Sequence, residues 1–432
     1  MKPLALVATA FLSLLAAGRA QALDNVQYSK TPPSAPSQAD YEEKLLGDLG
    51  GLRGRLAEAG VEIGLDYAGD VWGVASGGLK RRVTYLDFIE LRANLDGEKL
   101  FGIKGNSLSV SLIDSNGTSS NASTVGSTQG IDNNEVGARG VRLYEAWMEQ
   151  NFFENRLSLL VGLHDVNSEF AVTSLSDHFL TPTFQLGQSF AQSGENGPSA
   201  FPTTSLAARV KVKPTDDSYV AFAVYDGVPG APNATSGTAI RLDRKDGLLL
   251  VGELAYVPPA ADSEDAPNKL AIGGWNYTAG LDDLTRLDSN GNPARSTAQG
   301  LYFLSSARLY HDAPRARTLG AFLRLGVADG DTAQVDWDYV AGVVGNGWLP
   351  GRPDGEIGLG VSGAHNGDKY RRSVVADGDA SARNETSFEL YYRDTLGRGV
   401  TLQPDIQYVV NPGTDTVTDD ALIFGTRLEI SF

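Results

Sequence analysis

Charged and aromatic residues recur along this chain at two-residue spacings: Glu90 with Arg92, Glu145 with Trp147 and Glu149, Arg209 with Lys211 and Lys213, Arg427 with Glu429. Residues two apart on an extended strand share a face. Each set therefore sets donors and acceptors side by side, forming either a surface that binds a polar solute or a wall whose charges neutralise one another. Hydrolytic chemistry finds less support. The four histidines (His164, His178, His311, His365) fall in no H-E-x-x-H, and there is no G-x-S-x-G. His164 and Asp165 stand near Ser168, yet adjacent strand residues point to opposite faces, so this spacing makes no triad. A barrel hydrolase stays as a remote alternative, and the reading is that the protein is not an enzyme. With no cysteine, a thiolate nucleophile and a Cys-based metal site are excluded; no metal or other cofactor is expected.

The elements that carry these sets follow from the alternation. In the last eleven residues, Leu422, Phe424, Thr426, Leu428, Ile430 and Phe432 share one face while Gly425, Arg427, Glu429 and Ser431 share the other. A strand of about 9–11 residues ending on an aromatic suits the last span of a transmembrane β-barrel. The same period runs through Val61–Val71, Ile89–Leu95, Leu108–Leu112, Val141–Gln150, Leu157–His164, Ser205–Lys213, Tyr219–Tyr225, Leu248–Tyr256 and Lys269–Tyr277. It continues in Leu301–Tyr310, Leu319–Val327, Val335–Val344, Glu356–Gly363, Ser387–Arg393 and Val400–Val409. With the terminal strand this predicts an all-β, antiparallel transmembrane barrel of about sixteen strands. Arg on the lipid face near the midplane costs roughly 2–4 kcal/mol, which turns Arg92 and Arg209 inward. Short links such as Phe152–Asn155 alternate with long polar ones, Asn116–Gly137 and Asp282–Gln299, expected outside the membrane. The 50 glycines suit a barrel, whose turns consume glycine.

Upstream, Lys2, an apolar run from Leu4 to Ala17 and Ala20-Gln21-Ala22 read as a secretory signal peptide, residues 1–22. Residues 23–60 read as a proline-marked tether followed by a helical segment, Tyr41–Ala59, broken by Gly47, Gly50, Gly51 and Gly54, with Asp40 as cap and Gly60 as stop. It is read as a plug on the barrel end or a contact for another subunit. Residues 61–432 form the barrel. The formal charge of −17 argues against nucleic acid as a partner; the barrel's partners are its polar solute and outer-membrane lipid, and monomer and homotrimer both stay open.

The segment His164–Ser205 holds no convincing strand. A sixteen-strand barrel encloses a lumen wide enough for water, so a long loop with its own Phe and Leu residues folds inward as a constriction.

Leu46–Arg53, Asp165-Val166-Asn167-Ser168-Glu169-Phe170, Gln192-Ser193-Gly194 with Asn196-Gly197-Pro198-Ser199, Pro404–Val409 and the terminal Phe432 together resemble the carbohydrate-selective porin (OprB) family. Where the family pattern has Trp this chain has Leu49, and no Trp role is carried over. The resemblance implies a sixteen-stranded outer-membrane channel for small neutral sugars in a Gram-negative bacterium, narrowed by the long inner loop, with Phe432 as an assembly signal. A sugar's hydroxyls donate and accept while its ring face stacks on aromatics. The expected pathway residues are Glu90, Arg92, Trp147, Glu149, Asp165, Asn167, Glu169, Asn196, Arg209 and Lys211. A general or anion-selective porin is the alternative, but the loop carries no Lys or Arg.

Overall fold

A computed structural model describes residues 41–137, 139–230, 238, 240–258 and 268–432. The expected signal peptide, the tether and the Asp40 cap lie outside them.

Sixteen strands close into one antiparallel barrel. They are β1 (Val61–Ser76), β2 (Val83–Asp96), β3 (Asn106–Gly117), β4 (Arg142–Phe152), β5 (Leu157–His164), β6 (Ser205–Thr215), β7 (Ser218–Asp226), β8 (Leu248–Tyr256), β9 (Lys269–Tyr277), β12 (Gln299–Asp312), β13 (Arg317–Ala328), β14 (Val335–Asn346), β15 (Glu356–Asn366), β16 (Asn384–Gly397), β17 (Val400–Val410) and β18 (Ala421–Ser431). Each expected strand is present, most with an extra turn of ladder. The expected link Asp282–Gln299 is partly ordered: β10 (Leu281–Leu287) and β11 (Pro293–Ser296) pair as a hairpin outside the wall, so β12 follows β9 in the barrel.

The alternation sorts the two faces as read. Ile63, Leu91, Val161, Phe222, Ile272, Leu359 and Phe424 are exposed on the outside, while Glu90, Arg209, Glu253, Arg324, Glu389 and Arg427 are buried inside. A closed sheet leaves no backbone edge in the hydrocarbon.

The seam joins first strand to last, with Asp66 opposite Ser431 and Trp72 opposite Gly425. It is reinforced from below. The Leu45 amide donates to the Ser431 carbonyl (2.8 Å) and Lys44 Nζ to Ser431 Oγ (2.6 Å). The Phe432 amide donates to Leu65 O (2.9 Å), and Arg53 donates to the Phe432 carbonyl. Within this N-terminal segment an α-helix runs over Leu52–Glu58, and Tyr41 and Glu42 are also helical. Positive φ at Gly47, Leu49, Gly50 and Gly51 confines the rest of the expected helix to turns.

One expectation is overturned. The link after β3, read as an outside loop, turns into the lumen: Val125 and Ile131 are fully buried with Trp72, Val409 and Ile423. Distant wall charges hold it there. The Thr128 and Gln129 amides donate to Glu385 (2.8 and 2.9 Å), and Asp132 accepts from Trp72 Nε1 (2.6 Å) and Arg427 Nη2 (2.9 Å).

The Trp72 ring fits at the seam because its partner lacks a side chain; a Cβ on Gly425 meets the ring at 2.2 Å. Gly425→Val should destabilise the closed barrel by about 1–3 kcal/mol, the usual toll of overpacking. It should lower the temperature at which the compact band on an SDS gel converts to the unfolded one. An unchanged conversion temperature contradicts the packing described.

Candidate functional site: the lumen constriction

Residues 165–204, between β5 and β6, fold back through the barrel as expected, in short 3-10 turns and one helical turn, Gln188–Ala191. Their apolar side chains pack on the inner wall. Val166, Phe170 and Phe190 join Tyr225, Leu249, Val251 and Trp275, and Phe190 stacks on Trp275 at 4.4 Å. Phe179 and Phe184 stack at 4.2 Å against Phe322, Val340 and Tyr391. Burial of each such ring contributes about 1.5–3 kcal/mol.

The loop backbone needs partners too, and wall side chains supply them. The Ala171 amide donates to Glu253 Oε2 (2.9 Å), those of Leu180 and Thr181 to Glu389 (2.5 and 2.9 Å), that of Ser189 to Asp338 (2.9 Å) and that of Asp165 to Glu145 (3.2 Å). Arg324 donates to the Gln185 carbonyl (2.9 Å) and to that of Thr183. The two inward loops also meet each other, Asn133 Nδ2 donating to Phe179 O at 3.3 Å.

Four of the expected pathway residues form one network. Arg209 donates through Nη2 to Glu149 (2.7 Å) and through Nε to Glu169 (2.7 Å), and Lys211 Nζ reaches the other Glu169 oxygen at 3.0 Å. Asp165 accepts from the Tyr144 hydroxyl (2.5 Å) and the Asn167 amide (2.7 Å), and Asn167 Nδ2 donates to Gln185 O (2.9 Å). On β2, Arg92 pairs with Glu90, which also accepts from Ser111 Oγ (2.5 Å). Trp147 lies edge-on to His164 at 6.5 Å. Asn196 stands apart, exposed and donating to Pro229 O.

Ser168 Oγ does meet His164 Nε2 at 2.9 Å, but His164 Nδ1 faces the Tyr225 hydroxyl at 3.0 Å, and Asp165 turns to Tyr144. In that buried constellation the imidazole Nδ1 is hydrogen-bonded to a tyrosine hydroxyl rather than to the neighbouring Asp165, which is the geometry of a structural hydrogen-bond chain.

Residues 80–432 match the family described as carbohydrate-selective porin, OprB family. The chain belongs to that family. Porin B of Pseudomonas aeruginosa is 28% identical over 421 residues, covering 90% of this chain and 91% of that protein. The putative porin QuiX of Acinetobacter baylyi is 22% identical, covering 90% and 93%. The high-pH structure of Pseudomonas putida OprB superposes with a TM-score of 0.78 at 23% identity, covering 93% of this chain and all of that one; at that identity it speaks for the fold. The family match starts after the Leu46–Arg53 motif. As an OprB-family protein, the chain is an outer-membrane porin for sugars, a channel rather than an enzyme in fold and family.

Sequence reasoning missed the pins of this OprB-family loop. Arg324, Asp338 and Glu389 carried a visible signal, each standing between outward apolar neighbours, as did Glu253 beside Leu254, but their loop partners are mostly backbone groups, which have no sequence signature.

Burial pushes the Glu169 carboxyl up, but Lys211 and Arg209 outweigh it and hold its pKa at about 2. A carboxylate with a depressed folded value stabilises the docked loop above its undocked value, near 4.3, and loses that contribution as pH falls to about 2. Glu169→Gln should therefore raise single-channel conductance at pH 7 and 5 alike, and the difference from wild type should shrink as pH falls below about 4. A difference that grows on acidification contradicts this ion pair as a loop anchor.

Proposed function

We propose that the constriction selects small neutral sugars by a lumen whose charges are paired across the loop and wall. The observation that carries this reading is the pairing itself. Arg92 meets Glu90, Arg209 meets Glu149 and Glu169, Lys211 meets Glu169, Lys269 meets Glu253, Arg393 meets Glu429, and Arg427 meets Asp70 and Asp132. A neutral polyhydroxylated solute can trade its water hydrogen bonds for both partners of such a pair, whereas an ion meets attraction and repulsion together. Arg92 and Lys211, about a quarter exposed, are the cations placed to touch solute. Arg209, almost fully covered, acts by holding Glu149 and Glu169. Trp147, Asp165 and Asn167 complete the proposed pathway; Asn196 borders it from the far end of the loop. Export through cleavage after Ala22 fits the same picture, as does lipid against the apolar outer face.

Arg209→Ala should weaken the current block caused by sugars and shift ion selectivity toward cations, because it leaves Glu149 without its cation and Glu169 with Lys211 alone. Deleting Asn167 to Asn196 should raise conductance and abolish discrimination among sugars. If the deletion leaves both unchanged, the loop is not the filter.

Phe432 has a separate proposed role, in assembly. Its amide and carbonyl close the seam with Leu65 and Arg53, at the rim rather than in the constriction. Removing Phe432 should lower the yield of folded barrel while the recovered protein conducts normally; normal yield with altered conductance reverses the assignment.

A further inference from the structure

The turn between β14 and β15, residues 347–355, lies at the short-turn end of the barrel, and its side chains reach around the outside of the wall. Trp348 Nε1 donates to Thr318 O at 2.6 Å, its ring lies 5.9 Å from Tyr310, and Arg317 stands over it at 5.6 Å. Exposed Trp and Tyr at a barrel rim mark the level of lipid headgroups. On its other side the turn and strands β16 and β17 border an open groove of about 520 Å³ lined by Leu349, Pro350, Arg352, Tyr392, Asp394, Leu396, Leu402 and Pro404.

The groove faces lipid. Pro404 shares the outward face of β17 with Ile406, and Tyr392 that of β16 with Leu390 and Phe388, all three companions exposed. Its one charged feature is an ion pair, Arg352 Nη1 to Asp394 Oδ2 at 3.2 Å, with the Tyr392 hydroxyl also donating to Asp394 (2.9 Å). Arg352 is half exposed and Asp394 largely covered. The guanidinium has five N–H groups and this contact occupies only part of the fork.

We propose that this groove holds one zwitterionic phospholipid of the inner leaflet. Arg352 takes the phosphate, Asp394 the primary ammonium, and Leu349, Leu396, Leu402 and Pro404 an acyl chain. A zwitterion brings both charges and so replaces the Arg352–Asp394 contact without leaving either group unpaired. An anionic headgroup sets a like charge beside Asp394, and a quaternary ammonium has no N–H to give it. The apolar wall continues the lipid-facing belt, which favours a lipid over a soluble phosphate.

The test is native mass spectrometry of the detergent-solubilised porin offered phosphatidylethanolamine, phosphatidylglycerol and phosphatidylcholine, with inorganic phosphate as competitor. The expected result is one phosphatidylethanolamine retained under activation that strips the other two. Arg352→Gln and Asp394→Asn should each weaken retention roughly tenfold, the worth of one charge-assisted hydrogen bond, with single-channel conductance unchanged. Leu349→Trp, which fills the groove and leaves both charges in place, should also evict the lipid and decides the matter if a charge variant does not fold. Equal retention of the three lipids, retention indifferent to the folded variants, or displacement by inorganic phosphate overturns the proposal.

Discussion

A forty-residue loop inside a barrel must find partners for its backbone, because its N–H and C=O groups have left bulk water without entering a sheet. In this porin wall side chains supply many of them: Glu145, Glu253, Asp338 and Glu389 accept from loop amides, and Arg324 donates to loop carbonyls. The lumen-facing alternation of the strands thus does two jobs. It turns charge away from the outer face, and it provides a bed of side-chain hydrogen-bond partners on which an irregular chain can lie. Hydrogen bonds to charged groups are roughly twice as strong as neutral ones, which suits contacts that must fix a filter's width.

Apolar contacts lie between these pins, and they explain glycines that stand inside strands rather than in turns. Gly360 sits within β15, where a Cβ would come within 2.4 Å of Phe184 and 2.6 Å of Phe179. Gly320, within β13, leaves room for Leu175, whose nearest atom lies 2.6 Å from where a Cβ would be. Glycine in a strand interior weakens the strand and commonly marks close approach by another segment. Here the segment is the constriction loop, so the wall is thinned where the loop's rings are seated.

The strands and their inward faces were legible in the sequence because period two is a local signal that sixteen repetitions reinforce. The fate of residues 118–137 was not. Their Ser, Asn and Gly content reads as an exposed loop, while what draws them inward is Glu385 and Arg427, more than 250 residues away. Val125 and Ile131, apolar in that polar stretch, were the hint that a buried seat existed. Of the expected pathway residues, Glu149, Glu169, Arg209 and Lys211 converge because strand register sets Arg209 opposite Leu160 on β5 and Ala223 on β7, and the loop drops Glu169 onto that face. Asn196 stood in a family motif, but sequence proximity to a motif does not fix which side of a returning loop a residue takes.

Charge pairing in the lumen also bears on what kind of filter this is. Taking a cation and a carboxylate out of water is expensive, and a buried pair often adds little net stability compared with apolar packing. What the Arg209 network fixes is therefore geometry: one guanidinium holds two carboxylates at fixed positions, and Lys211 holds the second oxygen of Glu169. Removing Arg209 leaves buried Glu149 without its cation, a larger penalty than the pair's own worth, so the network resists being opened. A constriction held in this way keeps its polar groups in place while solute passes. It discriminates by how well hydroxyls match those fixed positions, and a flexible loop of the same composition would rearrange around any solute and select less.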